Sequence, residues 1–119
     1  MERNTELLEK TMQHIMDNPE QHDQGAWVNS CGTAACFAGW ACLLTQGTKQ
    51  CLDNETFSYQ GKTKHAADLA MDLLGLTHKE AAVLFSGNNS REGLQLMVKD
   101  LVNGDELRDR REYSRQDFG

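Results

Sequence analysis

The side chains with the most chemistry to offer stand together in residues 22–35. His22, Asp23, Gln24, Trp27, Asn29, Ser30, Cys31 and Thr33 precede an apolar run, and Gly32-Thr33 has the form of a helix entry. The start of a helix presents unpaired amides and a partial positive charge, so phosphate or carboxylate can bind there even in an acidic protein. In that reading Gly32 permits close approach and Thr33 donates its hydroxyl. The amides of Ala34 and Ala35 hold the anion, Asn29 and Ser30 belong to the same polar wall, and Trp27 or Tyr59 contacts a base. The bland reading stands beside it: Gly-Thr is ordinary capping chemistry, and Trp27 then only covers the core.

Nucleophilic chemistry would fall to Cys31, because a thiol near a helix start ionises more readily, with His14, His22, His65 or His78 as base. No glycine-rich nucleophile turn and no His-Asp pairing at a familiar spacing supports it, so a cysteine-dependent hydrolase ranks below a non-enzymatic protein. Gly32-Thr33 lacks the lysine of a phosphate-binding loop, residues 31–39 do not space their glycines for a dinucleotide, and Asp53-Asn54-Glu55 lacks the rest of a calcium loop. Cys31, Cys36, Cys42 and Cys51 are separated by four, five and eight intervening residues. That spacing is poor for zinc, and two of the four sit inside an apolar run, so small buried thiols are expected, without metal or cofactor. An even count also invites disulfides; with no export signal at the start of the sequence, reduced thiols are the expectation.

A net charge of -6 argues against nonspecific attachment to nucleic acid or anionic membrane. The longest apolar stretch, residues 34–44, is much shorter than the roughly 20 residues that span a bilayer, and a cytoplasmic location is expected. The chain of 119 residues suits one core. Phe, Trp and Tyr make up only 7% of it, so Leu, Ala, Met and Val must supply most of that core.

These residues need a scaffold, and the periodicity predicts a mainly α one: a single five- or six-helix domain over residues 1–104 around a buried central helix starting at Thr33, then a charged tail, 105–119. Leu7, Leu8, Met12, Ile15 and Met16 recur at helical spacing over residues 5–17, from a start at Asn4 or Thr5 to a stop at Asn18-Pro19. Cys36, Phe37, Trp40, Cys42, Leu43 and Leu44 leave the central helix no polar face, and small Ala35, Ala38, Gly39 and Ala41 let neighbours approach, with Gly39 costing about 1 kcal/mol against alanine. Residues 47–64 form a polar excursion whose alternating Thr56 to Tyr59 reads as a short hairpin or a loop. A third helix over residues 64–74 ends at Gly75. Thr77 and Glu80 form a capping box for a fourth helix reaching Phe85, and a fifth starts at Ser90 and carries Leu94, Met97, Val98, Leu101 and Val102. In the tail, Leu107, Tyr113 and Phe118 are the apolar anchors.

Cys31-Gly32-Thr33-Ala34-Ala35-Cys36-Phe37-Ala38-Gly39-Trp40, with His14, Pro19, Asp23-Gln24 and Trp27 ahead of it, resembles a group of short proteins from actinobacteria and their phages. The likeness extends coarsely over residues 10–102. It implies a phage or bacterial cytoplasmic setting and carries no catalytic assignment. By analogy with small phage accessory proteins, it points first to a counter-defence sponge that sequesters a phosphorylated, nucleotide-derived signal such as a cyclic nucleotide or ADP-ribose derivative, its pocket completed by a homo-oligomer. The competing class is an inhibitor that binds a host protein through the tail or an apolar patch.

Overall fold

The computed structural model describes residues 3–24, 35–51, 55–87 and 89–107. Helix α1 (Thr5–Asp17) begins where Asn4 Oδ1 accepts the Leu7 amide and ends at Asn18, whose amide and side-chain Nδ2 both donate to the His14 carbonyl. Pro19, with its fixed φ and no N–H to lose, opens a 3-10 turn, Pro19–Gln21, that reverses the chain beneath the end of α1. Helix α2 (Phe37–Leu44) packs on α1 and on α3 (Ala66–Leu74). Helices α4 (His78–Leu84) and α5 (Arg91–Val102) follow, and α5 lies along α1.

The expectation of a mainly α domain is overturned. Three antiparallel strands, β1 (Lys49–Gln50), β2 (Thr56–Tyr59) and β3 (Lys62–His65), form a sheet in the order β1-β2-β3 between α2 and α3 in the chain. Tyr59 faces Lys62 across a two-residue turn in which Gln60 (φ 51) and Gly61 (φ 79) are both left-handed, the backbone that matches the twist of a tight hairpin. Pairing continues to Thr56 opposite His65, so Lys64 and His65 belong to β3, and the helix expected over 64–74 starts at Ala66. His65 ends the strand and caps the helix, its Nδ1 accepting the Ala67 amide at 3.1 Å.

The central helix also starts later than its apolar run suggests. Ala35 is extended and bridged to His22 in parallel fashion, which takes it out of helical geometry, and Cys36 is the cap, its Sγ accepting the Gly39 amide at 3.4 Å. The start expected at Thr33 is replaced by one at Phe37; Thr33 itself lies outside the described residues. The interior character holds for Phe37, Ala38, Gly39, Ala41 and Cys42, whereas Trp40, Leu43 and Leu44 are half-buried.

The locally encoded ends behave as expected. Gly75 stops α3 in the left-handed region at φ 71. Thr77 Oγ1 accepts the Glu80 amide while Glu80 Oε1 accepts the Thr77 amide. Partial burial of Glu80 works against its charge, but the Thr77 amide and the Arg3 guanidinium overcome this and hold the carboxyl below its usual range. Arg3 also donates to the Leu101 carbonyl, tying the chain start to α4 and α5. Phe37, Phe57, Leu8, Ile15, Leu74, Leu84, Leu94, Met97 and Leu101 fill one core, against which Leu107 packs from the start of the tail. Among the described residues no helix is long and apolar enough to cross a membrane.

Candidate functional site

The 3-10 turn brings three separate stretches of chain together. Because Asn18-Pro19 reverses the backbone, Gln21 sits beside the last turn of α1 and the first turn of α2. Its carbonyl accepts the Trp40 indole N–H at 2.7 Å and the Ala35 amide at 3.0 Å, and its side-chain Oε1 lies 3.1 Å from His14 Nε2. The His14 and Trp40 rings meet at 4.2 Å between centroids with a 49° tilt. Both residues are half-buried, so a polar-aromatic patch reaches the surface here.

Gln24 locks the far side of this junction. Its Oε1 accepts the Phe37 amide at 3.1 Å, and its Nε2 donates to the Leu84 and Ser86 carbonyls at 3.3 and 3.0 Å. One carboxamide therefore caps the start of α2 and the end of α4. Since Nε2 is committed to two carbonyls, Oε1 must be the atom facing His22, and His22 Nε2, at 2.8 Å, is the donor in that bond. The Asp23 amide donates to the Ala35 carbonyl at 3.0 Å. Gln24 and Ala35, the roots on either side of residues 25–34, are thus both fixed by hydrogen bonds.

Of the residues expected to bind a ligand, Trp27, Asn29, Ser30, Gly32, Thr33 and Ala34 lie outside the described residues, as does Cys31. Ala35 is buried and its amide is spent on Gln21. The helix that follows offers no replacement among the amides just described. Phe37 donates to Gln24, Gly39 to Cys36 Sγ and Trp40 to the Cys36 carbonyl. The anion site drawn from the amide of Ala35 is therefore corrected: that N–H closes the parallel bridge. Tyr59 lies half-buried on β2 beside Gly47, where a side-chain carbon would come within 3.7 Å of its ring.

Sequence reasoning singled out His14, Asp23-Gln24 and Trp40 as a pattern but missed Gln21 and the double cap made by Gln24. The only local signal for Gln21 is its place two residues after a proline that must turn the chain.

Cys36, Cys42 and Cys51 are free thiols, and the first two are buried. Burial pushes Cys36 up to about 11, against the pull of the Gly39 and Ala38 amides, and the charge of Asp23 adds to the rise. Burial, with Cys36 nearby, pushes Cys42 up to about 12. Both are packing thiols held neutral, and Cys42 Sγ donates to the Ala66 carbonyl. In native protein near pH 8, alkylation by iodoacetamide should be on the order of a hundredfold slower at Cys36 and Cys42 than at a free thiol, and complete after unfolding. Peptide mass spectrometry checks this. Fast native labelling at either position would contradict the burial. Among the described residues no group of three His, Cys, Asp or Glu side chains is disposed to hold a metal.

No family model, curated protein or solved structure matches the chain. Function has to be argued from the geometry.

Proposed function

We propose that the chain binds and sequesters a small phosphorylated, nucleotide-derived molecule without converting it. The observation that carries this reading is the half-exposed His14–Trp40 ring pair with Gln21, whose carbonyl also binds the amide of Ala35, one root of residues 25–34. Ring faces suit a base, and imidazole and carboxamide N–H groups suit phosphate oxygens. The sequence strung between the roots adds Trp27, Asn29, Ser30, Gly32 and Thr33, side chains of the same two kinds. In this reading phosphate is held by side chains, since the amides of Ala35 and Phe37 are occupied within the fold.

A ligand present at about a hundred times its dissociation constant stabilises the protein by about 2.7 kcal/mol. For a domain of this size the melting temperature then rises by roughly 10 °C. Cyclic dinucleotides and ADP-ribose are the probes. One of the two classes is expected to give that rise, His14→Ala, Trp27→Ala and Thr33→Val to diminish it, and chromatography to recover the ligand unchanged. A flat response to both classes sinks the proposal, and recovery of an altered ligand replaces it with an enzyme.

A further inference from the structure

Seven asparagines occur in the chain, and Asn103 is the one followed by glycine. That pair carries its own chemistry, because the amide nitrogen of the second residue can attack the side-chain carboxamide of the first, and glycine sets no side chain in the way. Asn103 and Gly104 are both exposed. Among the described residues nothing but its chain neighbours comes within 4 Å of the place a side-chain carbon would take on Gly104, so water and hydroxide reach the pair.

The end of α5 holds this chemistry back. Gly104, left-handed at φ 85, closes the helix. Its N–H donates to the Leu101 carbonyl at 3.2 Å and the Asp105 N–H to the Asp100 carbonyl at 2.9 Å, the paired bonds of a Schellman cap. Asn103 has ψ -6, so the Gly104 nitrogen nearly eclipses the Asn103 nitrogen and stands well to the side of Cβ. Ring closure needs that nitrogen in line with Cβ and Cγ. Only a large rotation about the Cα–C bond of Asn103 brings it there, and the rotation draws both cap N–H groups off their carbonyls.

We infer that Asn103 is a deamidation site latched by the C-cap of α5, reacting with Gly104 and then water only while that cap is open. A base in solution takes the Gly104 amide proton, the nitrogen bonds to Asn103 Cγ, and the Cγ–Nδ2 bond breaks. Nδ2 takes a proton from water and leaves as ammonia. A second water opens the succinimide ring at one carbonyl or the other, giving aspartate or isoaspartate. Either product adds a carboxylate at the negative end of the helix, between Asp100 and Asp105. Isoaspartate also lengthens the backbone by one carbon, so the cap cannot re-form and the opening becomes permanent.

The inference does not depend on the ligand reading. It is tested on the full chain without ligand, held for days in warm, mildly alkaline buffer with and without denaturant, with peptide mass spectrometry reading Asn103, aspartate and isoaspartate. Conversion of Asn103 is expected in the native chain, on the order of ten- to a hundredfold slower than in denaturant, because two hydrogen bonds must break first. Hydrogen exchange at the Gly104 and Asp105 amides should show protection of the same size. Asp105→Pro removes one cap N–H and disfavours the left-handed turn before it, yet leaves Asn103 and Gly104 in place. It should speed native conversion about tenfold, with the far-ultraviolet circular dichroism spectrum showing that the variant is folded. If that variant does not fold, the agreement between native conversion and exchange at the two amides decides alone. A native rate equal to the denatured one would mean that the cap restrains nothing. Asn103 left intact in the native chain while it converts in denaturant, or a rate indifferent to Asp105→Pro, would mean that no local opening exposes it. Each of these overturns the inference.

Discussion

Gln24→Ala is expected to cost about 2–4 kcal/mol of unfolding free energy, more than truncation of a surface polar residue normally does, because several hydrogen bonds to two helix ends vanish together. In the native protein Oε1 accepts from Phe37 and His22, and Nε2 donates to the Leu84 and Ser86 carbonyls. Alanine leaves the amide of a fully buried residue, Phe37, facing the gap, and a buried donor without a partner loses its full desolvation cost. Water entering from the half-buried side recovers part of that loss, which keeps the expected value below the sum of the bonds. The matching fall in melting temperature is roughly 10–20 °C. Gln24→Glu separates the two ends of the side chain. A carboxylate still accepts from Phe37 and His22 but cannot donate, and it sets its charge against two carbonyl oxygens. At neutral pH it should be at least as unstable as the alanine variant. Urea unfolding of both variants decides the matter. A change under about 0.5 kcal/mol for Gln24→Ala would show that the double cap contributes nothing.

The same residue shows why some of this protein could be read from sequence and some could not. The capping bonds of Asn4, the Thr77–Glu80 box, Ser90 and Gly75 reach at most four residues along the chain, so these residue types announce the ends of α1, α4, α5 and α3. Gln24 acts on Leu84, sixty residues away, and no period links the two positions. Thr33 has a good capping residue's chemistry ahead of an apolar run. A nonlocal bridge from Ala35 to His22 nevertheless holds the backbone extended there and delays the helix to Phe37. The sheet was half legible. Thr56 to Tyr59 alternates visibly around one buried aromatic, whereas Lys62 to His65 has no apolar member and is a strand only through its pairing with β2. Lysines suit β3, which among the described residues pairs on one side only, since they discourage a further strand from joining it. The candidate site follows the same rule. His14, Gln21 and Trp40 meet because a proline turns the chain, and nothing in their spacing shows that the turn brings them together.

Phe57→Ala should have the largest effect of any single truncation considered, about 3–5 kcal/mol. Phe57 is fully buried, and among the described residues it is the strand residue that enters the common core itself. The other residues of β2 are only half-buried, and of them Tyr59 alone packs against the core, from its margin, so the buried contact rests mainly on Phe57. Removing the ring costs its transfer free energy and leaves a cavity that the rigid ends of a paired strand cannot close, since Gln50 and Lys64 hold the backbone on both sides. β3 runs directly into α3, and the Ala66 amide is bound to the Glu55 carbonyl, so a loosened sheet also frees the start of that helix. The loss should therefore appear as a lower midpoint of one cooperative transition, seen alike by circular dichroism and by tryptophan fluorescence. Thr63→Ala is the control. It lies one position along β3, opposite Ser58 and exposed, and should change stability by no more than about 0.5 kcal/mol. If Phe57→Ala cost as little as Thr63→Ala, or melted the sheet in a separate early step, the strands would be an appendage on a helical domain. A large loss in a single transition would make the sheet part of the one core that positions α2 and the residues at its entrance.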